Sequence, residues 1–444
     1  MLNGTRTTQS EYLMDARPAS ATALARDPAL LANYWAPFSQ LDRRANRRVT
    51  IVRGKSSRVW DDTGRDYLDA TASLWYVNVG HGRTSIAQAV ADQMGELACY
   101  SNFGEFATGP TERLTRRIAG LAPLEDPLVF LTSGGSDAVD SAVKIVRRYW
   151  QLQGEKQRSV IISRSRSYHG MHGYGTALAG ISANASGYGD SRAPGFVTVP
   201  ENDADALNAT VEEVGPERVA AVFAEPVIGA GGVIPPVDGY LQRVREICDR
   251  YGILFVADEV VSGFGRLGTW FASERYHVEP DLLLMAKGLT SGYLPLGGVI
   301  AARRVWAPFH DAAQVFRHGY TYSGHASACA AAMANLDIIE GEQLLARVRD
   351  LEPVLAQTLE PLADHDLVAE VRHAGMLAAV QIRPGEPTLV EAIVTAARRH
   401  GILTRALAGG ALQVSPPFVI TPEELAELSQ GLRSALDEVA GTRG

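Results

Sequence analysis

The chain has 444 residues, a length that favours two or three domains over one small core. Hydrophobic residues make up 46% and charged residues 21%, which is ordinary globular usage, and the formal net charge of −8 excludes the basic footprint that nucleic acid demands. Cys99, Cys248 and Cys329 are far apart with no CxxC pair, which argues against a disulfide framework or a zinc knuckle and fits a reducing compartment. Residues 1–20 are polar and lack the apolar core of a secretory signal, and no apolar run is long enough to span a bilayer. The expectation is a soluble, cytoplasmic protein.

The first fifty residues read as irregular and Arg-rich. The stretch 49–70 follows, with β-rich runs broken by GKSS and DTGR, and predicts a small antiparallel meander. From about 86 to 305, short apolar runs alternate with helical stretches. The strand candidates are 128–132, 159–163, 196–200, 219–225, 253–259 and 281–287. Near-continuous Val, Ile, Leu and Phe in several of them predicts strands buried on both faces of a mainly parallel sheet. Between them, 137–150 places Val139, Ala142, Val143 and Val146 at helical spacing, and 240–252 ends on Gly252 as a helix stop. Beyond 326, helical Ala/Leu-rich stretches (326–362, 387–400, 422–439) enclose two strand-like runs, 376–382 and 411–417. The pattern predicts an α/β class with segment 1–75 joined to a smaller domain, a large domain over 76–325, and a C-terminal α+β domain over 326–444.

Lysine is scarce. Lys55, Lys144, Lys156 and Lys287 are the whole set, and Lys287 alone falls at the end of an apolar strand, ahead of a Gly-rich segment. Buried there, its amine would lose its proton readily and attack a carbonyl. Asp258 and Glu259 also close an apolar strand, at the edge where open α/β sheets bind ligands. Either could hold a metal, act as a base, or pair with a protonated ring nitrogen; equally, the pair could cap a helix. The turn at Gly134, Gly135 and Ser136 opens a helix and could take a phosphate on its N–H groups, with Ser136 capping the helix. It could also be an ordinary capped helix. Tyr168 follows another strand and could stack on a flat ring. His169 and His172 beside it lack the acidic or cysteine neighbours that a metal site would want. Glu225 closes a further strand ahead of Gly229, Gly231 and Gly232.

Taken in order, SGGSDAVDS, SYHGMHG, EPVIGAGGVIPP, ADEVVSGFGRLG, AKGLTSGYLPLGG and HGYTYSGH resemble the class III (ω-) aminotransferases. The resemblance implies the aspartate-aminotransferase-like pyridoxal 5′-phosphate (PLP) fold type I. It also implies a PLP cofactor that passes through pyridoxamine 5′-phosphate as the amino group moves from an amine or ω-amino acid to a keto acid, pyruvate being the expected one. A same-fold aminomutase or decarboxylase is the alternative. By the same resemblance Lys287 forms the Schiff base and handles protons, Asp258 pairs with the pyridine nitrogen, and Tyr168 and Val260 sandwich the ring. Gly135 and Ser136 hold the phosphate, and Glu225 sits near the ring oxygen. Thr321 would reach the cofactor of a second subunit, which implies a homodimer with shared sites, possibly paired into a tetramer, and no metal, nucleic acid or membrane partner. Trp75 matches a substrate-pocket aromatic. The arginine that many relatives carry just before the C-terminal PP is replaced here by Gly409, Gly410 and Ala411, leaving Arg405 as the nearest group for a substrate carboxylate.

Overall fold

The computed structural model describes residues 34–39, 49–188, 194–312, 314–384 and 388–442. The expectations for the N-terminal segment up to residue 33 and for 40–48 lie outside the described residues. Three sheets organise the rest. The first joins β1 (Ile51–Lys55), β2 (Arg58–Asp61) and β3 (Asp66–Asp69) as the expected antiparallel meander. The large sheet contains β4 (Leu128–Thr132), β5 (Val160–Arg164), β6 (Phe196–Val199), β7 (Val219–Ala224), β8 (Leu254–Asp258), β9 (Leu282–Met285) and β10 (Gly297–Ala301). The third is an antiparallel sheet of β11 (Val368–Ala374) and β12 (Leu377–Ile382), with β14 (Ala406–Leu407) and β15 (Ala411–Val414). Between β12 and β14 in chain order, β13 (Ile402–Leu403) pairs parallel to β3 of the first sheet, which ties the meander to the C-terminal region.

The large sheet runs β4-β10-β9-β8-β7-β5-β6, and β6, β5, β7, β8 and β9 are mutually parallel. Its strands read as unbroken apolar runs because both faces are covered. Ile161, Phe223 and Val256 pack with Ala138, Val139, Ala142, Val143 and Val146 of the helix Gly135–Leu152. Their neighbours Ile162, Val222 and Phe255 point the other way, onto Leu241, Val244 and Ile247 of the helix Tyr240–Tyr251. Full burial of each such side chain stabilises the fold by about 1.5–3 kcal/mol. Gly252 stops the second helix in the left-handed conformation, φ 63°, as expected from sequence.

Four local expectations are corrected. β10 was not anticipated, because Gly297 and Gly298 read as loop. A Cβ on Gly297 would stand 2.5 Å from the Gly134 carbonyl oxygen, so glycine is what lets the strand pass the turn opening the first helix. β11 was likewise missed, because Glu370, Arg372 and His373 interrupt the apolar run in Val368–Ala374. The stretch 326–362 breaks into helices Ala326–Gly341 and Leu344–Leu359 at Gln343, whose φ of 52° interrupts the helical path. Lys287 lies past the end of β9, opening a short 3-10 turn rather than ending the strand. Among the described residues no helix is long and apolar enough to cross a membrane.

Candidate active site

Five strands of the large sheet, β4, β5, β7, β8 and β9, end at one edge, and each is followed by a residue singled out in the sequence. Gly135 and Ser136, Tyr168, Glu225, Asp258, Val260 and Lys287 all line a single cleft of about 210 Å³ there, the concave kind of site that small molecules occupy. Segments separated by as many as 150 residues meet because parallel strands deliver their carboxyl ends to the same side.

Lys287 sits in a left-handed backbone conformation, φ 45°, a strain on the order of 1 kcal/mol or more that only firm packing maintains. That packing comes from two buried asparagines. Asn335 donates to the carbonyls of Gly288 (2.8 Å) and Leu289 (3.0 Å), while Asn78 fills the space beside Gly288, where a Cβ would come 2.4 Å from its amide nitrogen. Burial lowers the Lys287 amine to about 8; Asp258 and Glu225 pull it upward and Arg405 pushes it down further. Lys55, Lys144 and Lys156 are exposed.

Asp258 is buried. Its Oδ2 accepts a hydrogen bond from His169 Nδ1 at 2.7 Å, and its Oδ1 accepts from the Val260 N–H at 3.1 Å. A carboxylate only accepts, so Nδ1 is the protonated nitrogen of His169. His169 had no role assigned from sequence; here it orients Asp258, while His172 turns away to Asp137. Asp258 is the last residue of β8 and His169 follows the carboxyl end of β5, and that shared placement was the available signal. Glu259 turns away from the cleft and accepts from the Ser273 N–H at 2.9 Å, capping the short helix Ala272–Arg275; its burial raises it to about 7. The acidic pair thus divides, one member toward the cleft and one into structure. Glu225 binds backbone, accepting from Tyr168 N–H (3.0 Å) and Gly229 N–H (2.9 Å), and burial raises its carboxyl.

At the other end of the cleft, the helix Gly135–Leu152 begins after Gly134 with no side-chain cap. Ser136 is therefore not the cap expected from sequence; it lies inside the first turn, and its Oγ accepts from the Met171 N–H at 3.3 Å. Thr321 is exposed on the single chain and lines neither this cleft nor its neighbour.

The family profile described as Aminotransferase class-III matches residues 41–436. A putrescine–pyruvate aminotransferase of Pseudomonas aeruginosa is 38% identical, with 97% of this chain and 99% of the relative covered. A β-alanine–pyruvate aminotransferase of the same organism is 37% identical over 92% of this chain and 96% of the relative. Among solved structures, a transaminase from the marine bacterium Virgibacillus superposes with a TM-score of 0.91 at 36% identity, covering 94% of this chain and 99% of that one.

The chain belongs to the class III aminotransferases.

This class III aminotransferase is a PLP-dependent transaminase of fold type I. The cleft suits that cofactor. A Cβ on Gly135 would stand 3.0 Å from Val260 Cγ1, and one on Gly170 would stand 2.5 Å from Ser136 Oγ, so glycine at both positions keeps a flat slot open. The uncapped helix N-terminus offers N–H groups to an anion, and the buried carboxylate and amine line the same cleft.

A second cavity of the class III aminotransferase adjoins the first. Trp75, Tyr168, Asn184, Lys287, Arg405 and Leu407 are among its lining residues, and Tyr168 and Lys287 line both cavities. Arg405 Cζ stands 4.2 Å from the centre of the Trp75 ring and Lys287 Nζ 5.6 Å from it. Burial lowers the Arg405 guanidinium to about 10, which leaves it charged at neutral pH.

Proposed function

We propose that the enzyme moves an amino group from an amine or ω-amino acid to pyruvate, forming alanine, with the cofactor in the first cavity and the substrate in the second. The observation that carries this reading is the position of Lys287. Its amine, lowered toward neutral pH, stands between a cleft ending in Asp258 and a cavity holding Arg405. The names of the putrescine–pyruvate and β-alanine–pyruvate relatives support pyruvate as the acceptor.

In this reading the bound cofactor supplies an electron sink, its protonated ring drawing in the electrons left when the substrate carbon gives up a proton. Lys287 Nζ is the amine that would hold the cofactor and would serve as the proton carrier beside the reacting carbon. Asp258 would keep the ring nitrogen protonated, and His169 keeps Asp258 in place. Tyr168 and Val260, both lining the cleft, would cover the cofactor ring, and Gly135 and Ser136 would hold its phosphate. Glu225 fixes the backbone of Tyr168 and of Gly229, which shapes the slot's wall. Trp75 forms one wall of the substrate cavity and Arg405 takes the keto-acid carboxylate. Thr321, exposed on one chain, would reach the cofactor phosphate of a second copy in a homodimer.

The test is alanine formation from pyruvate by the purified holoenzyme with β-alanine, putrescine and 1-phenylethylamine as donors, and with 2-oxoglutarate as the competing acceptor. Alanine from at least one donor, faster than glutamate, is the expected result. Loss of CO2 from β-alanine with no alanine from any donor would overturn the reading in favour of a decarboxylase on the same fold.

A further inference from the structure

Gln413 is a fully buried polar residue inside the apolar run of β15. Both ends of this buried amide are engaged, one by a cavity residue and the other by the backbone that carries a second. Its Oε1 accepts from Arg405 Nε at 2.6 Å, and its Nε2 donates to the Thr71 carbonyl at 3.2 Å. That same carbonyl accepts the Trp75 N–H at 3.0 Å. The ring closes where the Arg405 guanidinium lies 4.2 Å above the Trp75 indole. The backbone reinforces it: Gln413 N–H donates to the Arg405 carbonyl at 3.0 Å, and Thr404 Oγ1 donates to the Gln413 carbonyl at 2.7 Å.

The Trp75 side of the ring is equally constrained. Ala72, Ser73 and Trp75 all have left-handed φ values, 45°, 60° and 63°. Asp69 holds that turn by accepting from Thr71 N–H (3.0 Å), Thr71 Oγ1 (2.8 Å) and Ser73 N–H (2.9 Å). An arginine with a free Nε could swing between a carboxylate and an apolar group. Here Nε is engaged and the planar guanidinium is pressed on an indole, so its two terminal nitrogens face a fixed direction.

We propose that Gln413 is a specificity-determining residue that fixes Arg405 as a standing carboxylate receptor, so that carboxylate-bearing substrates are favoured over uncharged ones at this cavity. The proposal rests on the reading of Arg405 as the carboxylate site. Gln413 is a positioning residue, since it acts through Arg405 and touches no substrate itself. Among the described residues lining the cavity there is no carboxylate to neutralise Arg405 or to receive a second ammonium, which strengthens the bias toward acidic partners.

The test compares two acceptors, pyruvate and the uncharged aldehyde butanal, in the holoenzyme and in Gln413→Met, Gln413→Glu and Arg405→Ala. Binding of propionate, a carboxylate that cannot accept an amino group, is measured alongside by calorimetry. Met keeps the volume of Gln413 and removes both hydrogen bonds. Its expected effect is about a tenfold rise in the ratio of pyruvate KM to butanal KM, with a matching rise in propionate Kd, the scale of one hydrogen bond to a charged group. If Gln413→Met fails to fold, Gln413→Glu carries the test: its carboxylate pairs with Arg405 and weakens propionate by at least as much. Should Arg405→Ala raise the pyruvate ratio while both Gln413 variants leave it and propionate Kd where they were, the inference is wrong and the Arg405 reading survives. Should Arg405→Ala itself leave the ratio unmoved, both fall together.

Discussion

Replacing Lys287 by methionine should make the cofactor-free chain more stable at neutral pH. The wild-type lysine ordinarily holds its proton to 10.5, and burial brings it to about 8 in the fold. At about 1.4 kcal/mol per pKa unit, the folded chain carries a cation disfavoured by about 3 kcal/mol when both states are protonated. Between about 8 and 10.5 the unfolded chain binds the proton and the folded chain has shed it, so wild-type stability rises with pH across that window and is flat below it. Methionine fills nearly the same volume without the charge. The expected result is a urea midpoint for Lys287→Met above that of wild type at about pH 7, equivalent to about 3 kcal/mol with the slope unchanged. The gap should narrow toward about pH 10, as the wild-type lysine loses its proton. Both chains are stripped of cofactor and compared at equal protein concentration. Equal midpoints at neutral pH, or a gap that widens as pH rises, would refute the reasoning that Lys287 is held in an environment hostile to its charge.

Asp258→Asn should lower kcat by about 100-fold or more while the cofactor still binds, because the ring nitrogen loses its ionic partner; a change confined to KM would contradict this role. His169→Phe keeps a flat ring in place but removes the 2.7 Å hydrogen bond to Asp258, and kcat should fall by about tenfold, less than for Asp258→Asn. Equal losses for the two would make His169 more than a positioning residue. Gly135→Ala brings a methyl to 3.0 Å from Val260 and pushes that side chain into the slot. Cofactor Kd, followed by absorbance, should rise about tenfold, and an unaltered Kd would show that the slot has room to spare.

The elements that hold the site were legible where one side of the chemistry is local. A lysine at the end of an unbroken apolar run, and an aspartate at the end of another, could be read directly, since parallel strands of a buried sheet share one functional edge. The division between Asp258 and Glu259 could not, because which carboxylate faces the cleft depends on the twist of a turn and on a helix that starts at Ala272. Contacts across long sequence separations were equally hidden. His169 meets Asp258, Asn335 grips the turn after Lys287, and Gln413 joins Arg405 to the carbonyl that holds Trp75. Each pairs residues whose local context suggests a plain core or loop position. β10 was concealed for a different reason: its leading glycines serve close packing, Gly297 against Gly134 and Gly298 against Met285 and Phe130, and composition alone reads them as a turn.

The claim on which all of this depends is that Lys287 carries the cofactor. Borohydride reduction of the holoenzyme, followed by proteolysis and mass measurement of the peptides, tests it directly. A single reduced pyridoxyl group on the peptide containing Lys287, absent in Lys287→Ala, is the expected result. The same group on Lys55, Lys144 or Lys156, or no covalent label at all, would contradict it.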